Sequence, residues 1–352
     1  MEAGFARVFG SVQAERPRSN VWRLNENKVH IILISLFISE RWKYKMEKIS
    51  SDLRDEIAAL KKERDAVVLA HTYQPGDIQD CADYVGDSYG LSVAARKAKA
   101  STIVFCGVRF MAETAAIINP SRRIIMPEPK AGCPMADMIT PEELKELKAQ
   151  YPDHFVMCYV NSTAEIKALS DVCCTSSNAE QIARRLPEGR GIIFVPDQYL
   201  GSWVKERTGR EMILWNGFCP THLCITPDLI RATRKAYPDA ELLIHPEATH
   251  ECRELADAVL STGGMCDYAA ASSGMEFIIA TENGLLHTLR KQNPDKSFFS
   301  VSDTVICPNM KRGSLASLRD ALLGIGGEHI VVEEETARLA LRSIEEMLRL
   351  AT

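Results

Sequence analysis

The Cys-Pro pair constrains this chain more than any other feature. It occurs at Cys133-Pro134, Cys219-Pro220 and Cys307-Pro308 and nowhere else, and seven residues after each cysteine stands a hydroxyl side chain: Thr140, Thr226 or Ser314. The cysteines lie 86 and 88 residues apart. Each hydroxyl predicts a helix start. In Thr140-Pro141-Glu142-Glu143 the threonine can cap, the proline suits the first helical position, and Glu143 can return a hydrogen bond to the cap. Thr226-Pro227 repeats the cap without that return. A recurring unit has to be recognised first, because the fold then becomes a question about one unit.

Further landmarks keep the same period. Apolar runs at 66–70, 154–158 and 241–244 predict strands that end at His71, Tyr159 and His245. Two residues later come Tyr73, Asn161 and Glu247, then Ile78, Ile166 and Cys252, then Asp83, Asp171 and Asp257, each set five residues beyond the last. Another five reach Ser88 and Ser176. In the third unit the serine is expected after a longer insert, at Ser272 in Ala270-Ala271-Ser272-Ser273-Gly274. Each unit therefore reads strand, polar tip, helix, serine loop, helix, strand, Cys-Pro.

Alternating strands and helices imply right-handed crossovers and parallel sheets. The expected fold class is α/β: three homologous three-layer αβα units with parallel sheets, arranged with pseudo-threefold symmetry around a central cluster. The units would span residues 46–134, 135–221 and 222–352, with a C-terminal helix returning to the first. Ligands of such sheets sit beyond the carboxyl ends of the strands, where the tips and serines would lie. A solenoid would also explain repetition, but it gives no reason for polar groups at matching strand ends.

Residues 1–45 differ from the rest. Their one strong apolar run, 31–38, is too short to span a bilayer, and no small-residue cleavage site follows it. They are expected to be an extension outside the fold, with a targeting peptide as the alternative. Met46 opens a cleaner amphipathic pattern through Ile49, Leu53, Ile57 and Leu60. A net charge of −5, with no basic stripe carrying aromatics, argues against a nucleic-acid or membrane partner. The eleven cysteines are scattered and odd in number, unlike a disulfide scaffold, and a cytoplasmic protein is expected.

Three cysteines from three units can hold zinc or an iron–sulfur cluster. Structural zinc favours local pairs and four ligands. Cys219 and Cys224 are the nearest to such a pair, and Cys224 has no counterpart in the other units. Three thiolates suit a [4Fe–4S] cluster that leaves one iron without a protein ligand, an open Lewis acid. His71, Tyr73, His245 and Glu247 can act as acids or bases, and Tyr159 and Asn161 can orient a substrate. Neither a phosphate-binding Walker motif nor a dinucleotide G-x-G-x-x-G is present. Three other readings remain open: a non-catalytic iron–sulfur sensor, a zinc hydrolase using His245, His222 and a cysteine, and a structural repeat protein.

Several longer stretches, spread over roughly residues 50–350, resemble the quinolinate synthases. They include Ala70-His71-Thr72-Tyr73-Gln74, Val85-Gly86-Asp87-Ser88, Ala131-Gly132-Cys133-Pro134, Tyr159-Val160-Asn161-Ser162, Cys174-Thr175-Ser176-Ser177-Asn178, Pro196-Asp197-Gln198, Trp215-Asn216-Gly217-Phe218-Cys219 with His222, His245-Pro246-Glu247 and Cys307-Pro308-Asn309-Met310-Lys311. The resemblance implies a [4Fe–4S] cluster on Cys133, Cys219 and Cys307. It implies condensation of iminoaspartate with dihydroxyacetone phosphate to quinolinate, phosphate and water, on the route to NAD. Tyr73, His71 and Glu247 would be catalytic. Ser88, Ser176, Ser272, His222 and His245 would hold carboxylates or phosphate, with Tyr159 and Asn161 over the open iron. An aspartate oxidase would supply the unstable iminoaspartate through transient contact. Two departures stand out. Ala270-Ala271-Ser272-Ser273 replaces the usual Gly-Ser-Thr-Ser, which puts one substrate hydrogen bond in doubt at Ala271, and no C-x-x-C pair accompanies Cys307.

Overall fold

A computed structural model of the chain describes residues 51–352. The expected extension at 1–45 and the helix start at Met46 lie outside the described residues. Among the described residues helix α1 covers 51–63 and buries Ile57 and Leu60. It leads into a first unit of β1 (Ala66–His71), α2 (Gly76–Cys81), β2 (Tyr84–Gly86), α3 (Ser88–Lys97), β3 (Thr102–Cys106), α4 (Arg109–Ile118) and β4 (Arg123–Met126). A second unit follows: α5 (Pro141–Gln150), β5 (Phe155–Tyr159), α6 (Ala164–Ala168), β6 (Val172–Cys174), α7 (Ala179–Arg185), β7 (Ile192–Val195), α8 (Gln198–Thr208) and β8 (Met212–Leu214). The third has α9 (Pro220–Leu223), α10 (Pro227–Ala236), β9 (Glu241–Ile244), α11 (His250–Arg253), β10 (Ala258–Val259), α12 (Thr262–Ala271), β11 (Glu276–Ala280), α13 (Leu285–Gln292) and β12 (Ser297–Ser300). Last come α14 (Leu315–Leu323), β13 (Glu328–His329) and α15 (Glu334–Ala351).

The three sheets share one topology. Their strand orders are β2-β1-β3-β4, β6-β5-β7-β8 and β10-β9-β11-β12, all parallel, and β13 adds an antiparallel edge to the first. Lead strands β1, β5 and β9 are apolar and almost wholly buried, as strands covered on both faces must be. The repeat extends to single hydrogen bonds. Asp83 accepts from the Val68 amide, Asp171 from Val156 and Asp257 from Leu242, each at 2.7 Å. Fifteen residues separate donor and acceptor every time. Each carboxylate thus fastens the start of the second strand to the start of the first.

The three hydroxyls cap as expected. Thr140 opens α5 with a complete capping box, Thr226 opens α10, and Ser314 opens α14 with Ser317 returning the bond. Such caps contribute about 1 kcal/mol each. They also end the loops that begin at the Cys-Pro pairs, so each loop is pinned at its far side.

After Cys307 the chain leaves the third unit. Helix α14 lies on β3, and β13 joins the first sheet. The C-terminal helix, expected on the first unit, touches α4 there, but its main neighbours are α6, β6 and α7 of the second. Its Ala340, Ile344 and Met347 are fully buried in the core around β5–β7, and the Ser343 hydroxyl bonds the Lys167 carbonyl at 2.8 Å. None of the helices among the described residues is long and apolar enough to cross a membrane.

Candidate active site

The carboxyl ends of the three sheets open on one cavity of about 140 Å³. Its wall includes His71, Tyr73 and Ser88 from the first unit, Tyr159, Asn161 and Ser176 from the second, and His222, His245, Glu247 and Thr262 from the third. Cys133, Cys219 and Cys307 line it too, and all three are partly accessible and free of disulfides. His71 and Tyr159 end β1 and β5 and His245 directly follows β9, so the strands place all three, and the residue two further on also lines the cavity.

Of the residues marked out in the sequence, Ser272 alone does not join them. It caps the C-terminal end of α12 and bonds the Glu241 carboxylate at 3.0 Å, at the start of β9 and away from the cavity. No insert intervenes: five residues beyond Asp257 stands Thr262, the first residue of α12, in the position Ser88 occupies on α3. Ala271 is exposed at the last position of α12 and does not line the cavity. The Gly-Ser-Thr-Ser pattern falls instead on Leu260-Ser261-Thr262-Gly263, with the serine and threonine retained. The Ser-Ser-Gly run resembled a binding loop because its composition is that of one, while the fixed offset of five carried the true alignment.

A chain of hydrogen bonds crosses the cavity. The Tyr73 hydroxyl lies 2.6 Å from Thr281 Oγ1, which lies 2.8 Å from His222 Nε2. His222 Nδ1 is 2.8 Å from Glu247 Oε2, and the Tyr159 hydroxyl donates to Glu247 Oε1 at 2.6 Å. With His222 Nδ1–H donating to the carboxylate, Nε2 accepts from Thr281, which leaves Thr281 to accept from the phenol. Thr281 was missed in the sequence. It follows β11, the third strand of its unit, and the first unit has no polar residue at the matching place, Gly107-Val108. The second has Asp197 nearby, one position further on, and that was the available signal.

Burial sets the protonation states. It holds His71 down to about 3, helped by the charge of Lys311, and His245 likewise to about 3. Both rings are neutral, and His71 Nδ1 accepts from the Tyr73 amide at 3.1 Å. Burial works to raise Glu247, but His222 and His245 beside it, with hydrogen bonds from His222 and Tyr159, hold it well below the usual carboxylate range. Tyr73 and Tyr159 are pushed well above ordinary phenols by burial and by Glu247. The site therefore presents the Glu247 carboxylate beside two protonated phenols and the uncharged rings of His71 and His245.

The cysteine loops are tied to one another. Trp215 Nε1 donates to the Met138 carbonyl at 2.7 Å, joining the loops that carry Cys219 and Cys133. Gly217 lies so close to Pro196 that a Cβ would fall 2.3 Å from its carbonyl oxygen. Burial raises Cys133 to about 12, with the nearby Cys307 adding to the rise. It also raises Cys219 well above an ordinary thiol, as do Glu247 and Cys133. Three neighbouring thiols on an accessible wall fit a cationic, thiophilic group, which would displace their protons and hold the thiolates together. Asn161 fits an occupant as well, because its buried Oδ1 has no partner. A smaller donor set overlaps the first: Cys219, His222 and Glu247 offer ligand atoms within 4.8 Å of one another.

Comparison with known proteins agrees along almost the whole described length. A family model described as quinolinate synthetase A protein matches residues 55–349. A quinolinate synthase of Dehalococcoides mccartyi strain CBDB1 is 51% identical over 294 residues, covering 84% of this chain and 97% of its own. One from Thermodesulfovibrio yellowstonii is 50% identical over 298 residues, covering 84% and 97%. One from Methanoregula boonei is 47% identical over 298 residues, covering 85% and 98%.

Proposed function

Because the chain belongs to the quinolinate synthase family, we propose that it condenses iminoaspartate with dihydroxyacetone phosphate to give quinolinate, phosphate and water, in the cavity where its three units meet. The observation that supports this most is that one cysteine and one pair of strand tips from every unit line the same space. Domains divided after Pro134 and Thr221 go with this reading.

Cys133, Cys219 and Cys307 would hold a [4Fe–4S] cluster. When bound, such a cluster supplies an iron without a protein ligand, a Lewis acid for a substrate oxygen. Ser88 and Thr262 begin ten-residue helices at the cavity wall, so their hydroxyls suit a carboxylate or phosphate. Ser176 and His245, 3.2 Å apart, add a further pair of donors. Asn161 Oδ1 accepts from a substrate N–H or O–H. Neutral His71 presents Nε2–H to the triose-derived part. Tyr73 gives up or takes a proton there, and Thr281 and His222 carry the charge change to Glu247. The buried site excludes the water that would otherwise hydrolyse the imine. An aspartate oxidase is the expected source of that imine.

A second reading has one specific support: a single metal ion on Cys219, His222 and Glu247. It leaves Cys133 and Cys307 without a role and breaks the relay at His222. Anaerobic purification with iron, sulfide and zinc quantified, followed by a quinolinate assay, separates the two. Iron and sulfide in equal amounts with quinolinate formed supports the proposal. One zinc without sulfide would replace it with the second reading, and an intact cluster without quinolinate would remove the reaction.

A further inference from the structure

Beside Tyr73, with its acidic member on the cavity wall, lies a buried ion pair that the proposed chemistry does not use. Glu282, the residue after Thr281, is fully buried, and Lys311 is about three-quarters so. A carboxylate taken from water in this way is strongly unfavourable unless charge and hydrogen bonds replace the solvent. Here they do. Oε1 accepts from Lys311 Nζ at 2.9 Å and from the Cys307 amide at 3.1 Å. Oε2 accepts from the Gly284 amide at 2.7 Å and from Lys311 at 3.0 Å.

Lys311 makes one more bond, to the main-chain carbonyl of Tyr73. The pair thus grips two backbones at once: that of Cys307 in the third unit, and that of Tyr73 in the first. The approach is as close as the chain permits. A Cβ on Gly284 would lie 2.7 Å from Tyr73 Cα and 2.8 Å from Glu282 Oε2. Gln74 Nε2 adds a neutral tie to the Met310 carbonyl at 2.9 Å.

We propose that Glu282 and Lys311 are positioning residues for the reaction, setting the Tyr73 tip at a fixed distance from the Cys307 loop so that a substrate held at the loop lies within reach of the phenol. The proposal rests on the reading of the site given above. Displacements well under 1 Å matter for such a step, since catalysis by a placed group depends on near-attack geometry. A pair that served folding alone would behave differently, because removing both charges together would restore everything.

The test compares Lys311→Met, Lys311→Arg and the double variant Glu282→Gln/Lys311→Met with the wild type, all purified anaerobically. Stability, iron content, the electron paramagnetic resonance spectrum of the reduced cluster, kcat and KM are measured. Lys311→Met strands the Glu282 charge and should lower stability, and the double variant should recover much of it. Both should keep their iron, show a shifted spectrum, and lose kcat by roughly 10²-fold with KM changed far less. Lys311→Arg should regain most of the rate, because a guanidinium can meet both the carboxylate and the Tyr73 carbonyl. A double variant with wild-type kcat and spectrum would reduce the pair to a folding element and overturn the proposal. If the wild type carries a cluster but forms no quinolinate, the reaction fails instead, and the spectrum still decides the pair: an unshifted Lys311→Met overturns it independently.

Discussion

Tyr73 and Thr281 stand 208 residues apart in the chain and share a hydrogen bond of 2.6 Å inside the cavity. Thr281 is fully buried and has His222 Nε2 on its other side at 2.8 Å. Thr281→Val keeps the shape and removes the hydroxyl that joins the two. Turnover should fall by roughly 10²-fold or more, as for loss of an acid–base partner, with iron content unchanged. Stability should drop by about 1–3 kcal/mol, since two buried polar groups lose their partner. Thr281→Ser should retain most of the activity. Rates and iron measured on the same samples decide it: a fully active valine variant would show that the relay carries no proton.

How far the sequence could be read divides at this residue. Strand ends, helix caps and the three cysteines were legible because the same physical need recurs in each unit. Asp83, Asp171 and Asp257 make one bond three times over. Thr281 and Glu282 were not legible, because the tips of the third strands have diverged: Gly107 and Val108 in one unit, Asp197 in the next. Repetition identifies what every unit needs for folding. It is silent where one unit alone supplies a group, and active-site asymmetry is of that kind. The Lys311 contact to Tyr73 joins the first and third units across 238 positions, a relation no local pattern encodes.

Thr262 and Ser272 make a paired test of the corrected alignment. Thr262→Ala removes a hydroxyl from the cavity wall and should raise KM about tenfold, the scale of one hydrogen bond to a charged group. Ser272→Ala removes a bond to Glu241 far from that wall and should leave both kcat and KM unchanged, at a stability cost of about 1 kcal/mol or less. Steady-state kinetics of the two variants side by side would restore the original assignment if Ser272→Ala proved the more damaging.

The cysteines should separate into two classes. Serine at Cys133, Cys219 or Cys307 should abolish the iron–sulfur absorption and the activity together, since each unit supplies one thiolate and none has a spare beside it. Serine at Cys224, exposed and only five residues from Cys219, should leave both intact, as should serine at Cys81. Iron and sulfide content after anaerobic reconstitution is the measurement. Full cluster content in any of the first three variants would require a different ligand set.

His71 gives the fold a dependence on pH whose sign follows from its burial. The folded ring titrates near 3, held down by burial and by Lys311, while an unfolded histidine titrates near 6.5. Between those values the unfolded chain takes up a proton that the folded chain refuses. The stability from this residue is therefore complete above about pH 6.5 and is lost progressively as the pH falls toward 3. From pH 7 to pH 5 the loss is about 2 kcal/mol. His71→Asn removes the titration and keeps an acceptor for the Tyr73 amide. Urea unfolding of metal-free protein at the two pH values should show the wild type losing about 2 kcal/mol more than the variant. Equal losses would mean that His71 meets water, or a compensating charge, that the packing around β1 does not provide.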